Sequence, residues 1–458
     1  MRSRMTTSSH GIRYIDLFAG CGGLSDGFEA TGGFLGVAHV EWEDPACKTL
    51  VQRLTTKWGY TDAQRRVLQA DVRQLSALFS GDAVGDFPSH AGLDALVEGD
   101  GGIDLLIGGP PCQAYSMAGR VRDEHGMHRD YRNFLFESYL GVVERYEPRA
   151  VLFENVPGML SAKPGGISIA DRIRAGFRKA GYVIRGDLRS CLIDAAEYGV
   201  PQRRRRVIIV GVREDVPDAE RALEGFYRQL LSERHGVRRS VSDAIGHLPR
   251  LMPLRTPKRL GSRLSSHGCT SNGVDEHVPR FHSARDQAIF RMLAQDARRT
   301  HPKYATAESL KALYTRVTGR VSSVHKYHVL RPDQPSNLIP AHLHKDGLRH
   351  IHFDPSQARS ITVREAALLQ GFPSDFPFLG TQGDKYKMIG NAVPPMLAAA
   401  LARALRKTLF SAPTQSRTPS SRTKAAPAKG RGKTQRPGGV ARLRKPDVIA
   451  RVAGSARA

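Results

Sequence analysis

Short apolar runs alternate with amphipathic stretches through the first half of the chain, and this pattern predicts an α/β fold. Runs at 12–18, 37–41 and 103–107 read as strands that end at glycine, proline or acidic residues. Between such runs lie stretches with helical spacing of apolar residues, such as 133–146. The alternation continues to Val212, which favours a doubly wound, mostly parallel sheet.

The alternation stops near Glu214 and returns near residue 358, which divides the chain into segments. We predict a sheet domain at 11–213, a smaller domain rich in Arg, His, Pro and Gly at 214–357, and a return of the sheet domain at 358–410. The return opens with a helix, for which Thr362 is a candidate N-cap, Glu365 follows three residues later and Gly371 is the stop. Residues 79–102, rich in Gly and Asp, are expected to form a surface insertion.

The charge of the chain favours a nucleic-acid partner. Lys and Arg number 69 against 44 Asp and Glu, a formal net charge of +25 at pH 7 and a pI near 10.2. Clustered basic side chains neutralise phosphates and release counterions, so this balance points away from small-molecule metabolism. Residues 411–458 hold twelve Lys and Arg against one acid and no aromatic residue, so we expect a disordered tail. Its role stays open between non-specific attraction to DNA and a solubilising extension.

The hydropathy pattern predicts neither a membrane segment nor a signal peptide. No apolar run approaches the roughly 20 residues that a membrane helix needs, and residues 1–10 lack an apolar core. The five cysteines, at 21, 47, 112, 191 and 269, form no C-x-x-C pair, which suggests a reducing compartment. We therefore expect a soluble intracellular protein with no membrane partner.

One stretch places a candidate nucleophile at the end of a predicted strand. The run 103–107 is followed by Gly108-Gly109-Pro110-Pro111-Cys112-Gln113-Ala114-Tyr115-Ser116. Open α/β sheets bind ligands at the carboxyl ends of their strands, and the two prolines hold the backbone rigid before the thiol. A lone buried cysteine is usually inert, but that interpretation leaves the paired glycines and prolines unexplained. We therefore predict a catalytic cysteine.

Other strand ends carry residues suited to an adenosine. The glycine-rich turn 19–24 follows the first strand, and Glu41-Trp42 comes about 20 residues later, the offset of ribose-binding acids in dinucleotide folds. Asp71 ends the third predicted strand. Two acids and an aromatic ring at successive strand ends could bind a ribose, stack on an adenine and accept from its amino group. Singly each is more often a cap or a core residue, but together they predict an adenosine site.

Glu154 and a run of four arginines supply a candidate proton donor and a candidate cation. Glu154 follows the predicted strand 150–153, where a carboxyl group can act as an acid, although a structural glutamate is an equally good interpretation. In the run 203–206 alternate side chains face opposite sides of a strand, so Arg204 and Arg206 share one side. The histidines at 342, 344, 350 and 352 have no cysteine among them, and phosphate or base contacts suit an alternating, exposed set as well as metal does. No metal is expected.

Eight blocks of sequence together resemble the cytosine-C5 DNA methyltransferases. In order they are Asp16-Leu17-Phe18-Ala19-Gly20-Cys21-Gly22-Gly23, Glu41-Trp42, Asp71-Val72, Pro110-Pro111-Cys112-Gln113, Glu154-Asn155-Val156, Gln202 with Arg204 and Arg206, the block 359–373, and Gly390-Asn391-Ala392-Val393-Pro394. Each is weak alone, but eight in the family's order are specific, and they cover roughly 12–212 and 359–410. The chain departs from the family pattern at Leu338, where a threonine is expected, and in its basic tail.

The resemblance implies an S-adenosylmethionine-dependent methyltransferase fold, a Rossmann-like doubly wound sheet with a target recognition domain inserted at 214–357. By resemblance, Cys112 adds to C6 of a cytosine flipped out of duplex DNA, and Glu154 holds or protonates N3. Arg206, supported by Arg204, contacts the cytosine carbonyl. The implied S-adenosylmethionine site consists of Phe18, Ala19, Gly20, Gly22, Gly23, Leu24, Glu41, Trp42, Asp71, Val72, Asn391, Ala392 and Val393. The implied DNA contacts are Gln113, Ser116 and Gln202, and for Gln202 a role in orienting its loop is the stronger interpretation.

Two alternative functions stay open from the sequence. A tRNA-modifying RNA cytosine-C5 methyltransferase shares these motifs, although an insert of about 140 residues favours a reader of DNA sequence. A catalytically silent DNA-binding homologue would have no need of Cys112, Glu154 and Arg206 together. The compact layout with one insert is typical of bacterial modification enzymes, which implies a cytoplasmic protein that acts on DNA as a monomer, with a cognate restriction endonuclease as a possible partner.

Overall fold

The computed structural model describes residues 11–110, 135–260, 263–269 and 273–411, and its centre is an eight-stranded sheet. The strands are β1 (Ile12–Leu17), β2 (Phe34–Glu41), β3 (Val67–Gln69), β4 (Leu105–Gly108), β5 (Ala150–Asn155), β6 (Tyr182–Val183), β7 (Leu192–Asp194) and β8 (Arg205–Arg213). Their order is β3-β2-β1-β4-β5-β8-β6, and β7 also pairs with β8. Strands β1 to β5 are parallel, whereas β8 is antiparallel to its three neighbours. The predicted mostly parallel α/β sheet is confirmed.

The central strands form where the sequence is continuously apolar. All four residues of β4 are buried, and so are all six of β5. A parallel strand with both faces covered needs apolar side chains on both, so its sequence shows a run rather than an alternation. This is why β1, β2, β4, β5 and β8 could be recognised from their residues.

Helices and a separate two-stranded ribbon complete the described chain. The helices are α1 (Gly23–Ala30), α2 (Asp44–Trp58), α3 (Ala63–Arg66), α4 (Leu75–Ser80), α5 (Leu93–Gly99), α6 (Leu135–Tyr146), α7 (Ile169–Lys179), α8 (Ala219–Ser232), α9 (Val241–Ile245), α10 (Ala284–Asp296), α11 (Ala307–Thr318), α12 (Val363–Leu369), α13 (Gln382–Asn391) and α14 (Pro395–Leu409). The ribbon consists of β9 (Leu251–Leu260) and β10 (Arg263–Cys269), which are antiparallel. Helix α12 begins with a capping box between Thr362 and Glu365, as predicted.

The predicted surface insertion at 79–102 is wrong in part. This segment contains α5, whose Leu93 and Leu96 are 0% and 3% exposed and belong to the main hydrophobic core. The glycines and aspartates that suggested an insertion lie around the helix rather than in its buried face. The buried residues of α5 are Leu93, Leu96 and Val97, and they form one face of the helix.

The end of the described chain returns to its beginning. Helix α14 packs between α1 and α8, and the guanidinium of Arg406 donates to the carbonyl oxygens of Thr31 and Gly32 at 2.9 and 2.7 Å. Within the described residues, the stretch 382–409 is long and apolar enough to cross a membrane by length and composition, with a mean hydropathy of 1.3. However, that hydropathy belongs to an 18-residue window of the stretch, 72% of which is buried in the protein, and a break at 392–394 divides the stretch into α13 and α14. It is a core element.

Two smaller cores lie in the region between the sheet and its return. One joins residues of α9 and of the segment 330–343, among them Val241 and Leu343, to α12 and α13. The other consists of Ile289, Phe290, Leu293, Leu313, Tyr327 and Ile351. The domain boundaries proposed from the sequence, at 214 and 357, stay a prediction.

Candidate active site

The buried ion pair between Glu154 and Arg206 marks the carboxyl edge of the sheet. Glu154 lies near the end of β5 and Arg206 near the start of the antiparallel β8, so the two side chains meet with Oε1 and Nε 2.6 Å apart. The side chains are only 11% and 10% exposed. A Cβ atom placed on Gly109, one residue after β4, would lie 2.6 Å from Glu154 Oε2. The ends of β4 and β5 and the start of β8 therefore converge on one carboxylate.

The predicted nucleophile and two predicted DNA contacts lie outside the described residues. They are Cys112, Gln113 and Ser116, which follow Gly109 by three to seven positions in the sequence. Their roles stay predictions.

Arg204 and Gln202 do not reach the surface of this edge. Arg204 is 2% exposed, and its guanidinium donates to the carbonyl oxygens of Ile339, Gly390 and Ala392 at 3.2, 3.1 and 2.9 Å. Gln202 is 0% exposed; its amide donates to Gln370 and its Oε1 accepts from the backbone N–H of Ile339. Hydrogen bonds to the protein occupy both side chains. Because Gln202 is buried, its side chain is not available for a direct contact with DNA in this structure. Its hydrogen bonds agree with the other interpretation, in which Gln202 orients its loop.

The alternation predicted for the arginine run does hold. Arg203 and Arg205 are exposed, and Arg204 and Arg206 are buried. The two buried arginines nevertheless differ in what they bind. Arg206 pairs with a carboxylate, and Arg204 ties three backbone carbonyls from two distant segments, so it acts as a positioning residue for the chain return.

At the other end of the same edge, Glu41 anchors the glycine-rich turn. Its Oε2 accepts from the backbone N–H of Gly20 and its Oε1 from that of Glu43, both at 2.8 Å. Burial raises the pKa of Glu41, and the two backbone donors oppose that shift. A carboxylate oxygen has two lone pairs, so each oxygen can accept one more hydrogen bond.

The turn itself has the backbone conformation of a close-approach site. Gly20 and Gly22 have φ values of +57° and +92°, and Phe18 also has a positive φ of +62°, which is uncommon for a residue other than glycine. Apart from its chain neighbours, no atom of the residues that the structure describes lies within 4 Å of a Cβ built on Gly20, so open space adjoins its α-carbon in this part of the protein. A Cβ on Gly23, by contrast, would collide with the Val393 carbonyl oxygen. The structure therefore brings the turn and the 391–393 segment into contact, as the implied site requires.

Arg73, which was not predicted from the sequence, contacts both Trp42 and Asp71. Arg73 donates to both Asp71 oxygens at 2.6 to 2.9 Å, and its guanidinium lies 5.4 Å from the centre of the Trp42 ring. Phe87 makes an edge contact with the same indole, with ring centres 5.1 Å apart, and Trp42 remains 46% exposed. Arg73 could have been suspected from its place two residues after the acid, but nothing in the sequence connects Phe87 with Trp42.

Most of the other residues implied for the cofactor site are buried. Ala19, Leu24, Val72, Ala392 and Val393 are buried, whereas Asn391 is exposed. Asp16, at the end region of β1, is fully buried, and burial raises its pKa to about 7. Its Oδ2 accepts from Ser25 at 2.6 Å, and its Oδ1 has no hydrogen-bond partner among the described residues. An acceptor without a partner next to a glycine turn is suited to a polar ligand.

The four histidines of the inserted region do not form an exposed strand. His350 and His352 are 1% and 4% exposed, so the phosphate or base contacts considered for them are wrong. Burial lowers the pKa of each to about 3. His342 and His344 lie in a short 3₁₀ turn, Ala341–His344. In the described part of the chain no group of three or more His, Cys, Asp or Glu side chains is arranged to hold a metal.

Solved structures place this fold among methyltransferases. A protein of E. coli described as a prophage-encoded DNA modification methyltransferase has a TM-score of 0.57 and 25% identity, over 87% of this chain and 99% of that one. Entamoeba histolytica methyltransferase EhMeth, with a TM-score of 0.51 and 15% identity over 87% and 99% of the two chains, shares the fold. The sheet with its antiparallel eighth strand is the S-adenosylmethionine-dependent methyltransferase fold.

The sequence match is more specific than the fold. Residues 12–407 match the family described as C-5 cytosine-specific DNA methylase, and the chain belongs to that family. Type II methyltransferase M.Bpa9945I of Bacillus paralicheniformis is 32% identical over 86% of this chain and 98% of its own length. Type II methyltransferases M1.HphI of Haemophilus parahaemolyticus and M.AgeI of Thalassovita gelatinovora are 31% and 30% identical over 86% of this chain, and over 87% and 99% of their own lengths. The protein is thus an enzyme, a DNA (cytosine-5-)-methyltransferase.

Proposed function

We propose that this enzyme transfers a methyl group to C5 of a cytosine flipped out of a specific duplex DNA sequence, through a covalent bond between Cys112 and C6. The observation that supports it is the buried pair of Glu154 and Arg206 with Gly109 against the Glu154 carboxylate. Three residues after Gly109 the sequence reaches Cys112. The proximity of Glu154 to Gly109 supports the assignment of Glu154 as the acid and Arg206 as the cation beside the cysteine.

The chemistry needs each of these groups because C5 of cytosine is a weak nucleophile. When the Cys112 thiolate bonds C6, the C5–C6 π electrons shift through the ring and N3 gains negative charge. Glu154, which must first take up a proton from solvent, neutralises that charge by donating the proton to N3. To Arg206, which pairs with Glu154, we assign the contact with the cytosine carbonyl oxygen. C5 is now enamine-like and can form a bond to carbon. A base then removes the C5 proton, the C6–sulfur bond breaks with the thiolate as leaving group, and N3 returns its proton to Glu154, so the ring regains its aromaticity as neutral 5-methylcytosine.

S-adenosylmethionine is the methyl donor that the family uses in general, and the residues at the other end of the edge fit it. Glu41 keeps a lone pair on each oxygen for a ribose hydroxyl, and Trp42 is half exposed beside Asp71. The space at Gly20 leaves room for a ligand beside the backbone of the turn, and the close contact between Gly23 and Val393 brings the 391–393 segment next to the turn. S-adenosylmethionine, when bound, supplies the electrophilic methyl group that C5 accepts.

The inserted region at 214–357 is proposed to read the DNA sequence while the sheet domain holds the extruded base. A base inside a duplex does not expose C6 to a nucleophile, so extrusion is required. We propose that the enzyme acts as a monomer in the bacterial cytoplasm. Because its relatives are named type II methyltransferases, we also propose a cognate endonuclease that shares its site.

The direct test is methyl transfer by the purified full chain. Tritiated S-adenosylmethionine is supplied with unmethylated duplex DNA or with tRNA, and bisulfite sequencing locates 5-methylcytosine. We expect label in duplex DNA, lost in Cys112→Ala and lowered by about 100-fold or more in Glu154→Gln, which keeps the size of the side chain but cannot donate an acidic proton. Glu144→Gln, at an exposed position on α6, is the matched control for the same acid–amide exchange.

Two results would contradict the proposal. Label in tRNA alone would assign the enzyme to RNA. Label in DNA that survives in Cys112→Ala would exclude the covalent route and leave only the family assignment.

A further inference from the structure

The ribbon β9–β10 projects its outer half away from the body of the protein. Residues 255–259 of β9 are all exposed, and Leu264 of β10 is 48% exposed. Lys258 pairs with Ser265 and Arg259 pairs with Leu264, so Arg259 and Leu264 lie on the same face. On the opposite face Ser265 is 3% exposed, so β10 lies against the protein there, whereas its partner Lys258 on β9 is exposed.

The ribbon is irregular at its middle. Between the pairs Lys258–Ser265 and Pro253–His267, four residues of β9 lie opposite one residue of β10. This part of β9 must bow sideways from the ribbon, as an extended bulge does. Arg255 lies within this bowed part and has no cross-strand partner in the described ribbon, whereas Arg259 lies beyond it and pairs with Leu264.

The ribbon is basic and carries no acidic residue. Its sequence from 251 to 269 includes Arg255, Lys258, Arg259 and Arg263 and neither Asp nor Glu. Among the described residues no carboxylate pairs with Arg255, Lys258 or Arg259, whereas Arg13, Arg53 and Arg66 of the sheet domain each have such a partner. Unpaired, exposed cations on a projecting arm are typical of a surface that meets a polyanion.

The root of the ribbon is fixed to the return of the sheet domain. His267 donates from Nε2 to the carbonyl oxygen of Gln357 at 2.8 Å, and the side chain of Gln357 accepts from the backbone N–H of Leu251 at 3.0 Å. Gln357 Oε1 also accepts from Arg359, whose guanidinium forms a buried bidentate ion pair with Glu365 at 2.6 and 2.7 Å. The arm is therefore held at a set angle to α12, which an element that reads a sequence requires.

We propose that the β9–β10 ribbon enters the major groove beside the target cytosine, where Arg259 reads a guanine and Arg255 contacts a backbone phosphate. The inference rests on the proposed function, since it concerns the same DNA. The major groove, about 12 Å wide and 8.5 Å deep, admits a two-stranded ribbon. Arg259, near the outer end and stiffened by Leu264, is placed for a base edge, and an arginine donates to O6 and N7 of guanine at once. Arg255, on the bow at the side of the ribbon, is placed for the groove wall, which consists of phosphates.

The two assignments predict separable effects. The full-length wild type and four variants, R255Q, R259Q, R259K and the control K179Q, methylate the same unmethylated plasmid DNA, and bisulfite sequencing gives the modified sequence of each. Lys179 is an exposed cation at the end of α7, so its loss matches the charge change at a distance from the ribbon. Binding of a duplex with the wild-type site is then measured from low to high salt, and a thermal melt checks that every variant is folded.

For R259Q and R259K we expect relaxed specificity at one G·C position, by about 10- to 100-fold in relative rate. Lysine keeps the positive charge of Arg259 but cannot donate two parallel hydrogen bonds to one guanine. R259K therefore separates recognition of the base from electrostatic attraction to the DNA backbone. For R255Q we expect the wild-type sequence preference and a logarithmic salt slope smaller by about 0.9, the contribution of one phosphate contact. K179Q should behave as wild type.

The proposal is overturned if R259Q and R259K, folded by the melt, keep the full wild-type sequence preference, or if R255Q keeps the wild-type salt slope. A wild type that forms no 5-methylcytosine in duplex DNA would remove the proposed function and this inference with it. Normal methylation with unchanged variants would remove the inference alone.

Discussion

Gly27 lets the first and last helices of the sheet domain touch, and replacing it should destabilise the protein. Within α1, a Cβ at position 27 would lie 2.5 Å from Ala398 Cβ and 2.7 Å from the backbone nitrogen of Ala399, and would collide with the Pro395 carbonyl oxygen. Ordinary contact begins near 3.4 Å, so α14 would have to retreat by most of an ångström. Backbone atoms cannot rotate aside as the end of a flexible side chain can.

The magnitude follows from two opposing terms. Overpacking against a rigid neighbour costs about 3 kcal/mol, at the upper end of the usual range, while alanine in a helix interior gains about 1 kcal/mol over glycine. We therefore expect Gly27→Ala to lower the free energy of unfolding by about 2 kcal/mol. Gly225→Ala is the matched control because Gly225 is also in a helix interior, but the nearest atom to its Cβ would be Thr408 Cγ2 at 3.9 Å. It should raise stability by about 0.5 to 1 kcal/mol.

Urea unfolding followed by circular dichroism measures both changes on the same scale. If Gly27→Ala proved as stable as Gly225→Ala, the close contact between α1 and α14 would not exist as described. The reasoning about the chain return would then be wrong.

Three further outcomes are expected. Gly109→Ala should lower kcat by about 100-fold with unchanged folding, because its Cβ would push away the Glu154 carboxylate oxygen 2.6 Å distant. The control is Gly236→Ala, where no atom of the described residues beyond the chain neighbours lies within 4 Å of the added carbon, and equal rates for the two variants would refute the placement of Gly109 against Glu154. Burial lowers the pKa of His350 to about 3, below the unfolded value near 6.5, so the native state binds fewer protons and stability falls as pH drops from 6.5 toward 3. His350→Leu should reduce that fall by about 1.4 kcal/mol per pH unit, measured by urea unfolding at several pH values, and an unchanged slope would contradict it. In a Trp58→Phe variant, Trp42 is the one remaining tryptophan, and S-adenosylmethionine should change its fluorescence saturably; a flat titration at concentrations that support methylation would place the adenosine elsewhere.

The sheet could be predicted from the sequence because its strands are buried on both faces. The ribbon β9–β10 could not, since residues 255–259 of β9 are all exposed and burial imposes no alternation of apolar and polar side chains there. Its β9 strand carries Pro253 and Pro257 and several basic residues, all of which weaken a strand signal. Helix α5 was not predicted because the Gly and Asp residues around it obscure the helical spacing of its buried residues, Leu93 and Leu96.

At the active edge, residue type and spacing indicated which side chains matter but not what each one binds. Arg204 and Arg206 are two residues apart on the same side of the chain, yet one binds three carbonyl oxygens and the other a carboxylate. Those partners come from residues 339–392 and from β5, distances along the chain that no local pattern encodes. The same holds for Phe87 against Trp42. Long-range contacts of this kind appear only when the chain is folded.

The return of α14 onto α1 has a consequence for how such a gene can be rearranged. Arg406 bonds the carbonyl oxygens of Thr31 and Gly32, and the backbone N–H of Ile12 bonds the carbonyl of the next residue, Gly33, at 2.8 Å. The last helix thus ends beside the first strand. A circularly permuted chain, beginning with α13 and α14 and joined to β1 by a short linker, would keep all of these contacts, and the break would fall between α12 and α13. The order of these elements along the gene is therefore not fixed by the fold. The helix that packs against α1 could be synthesised first as readily as last.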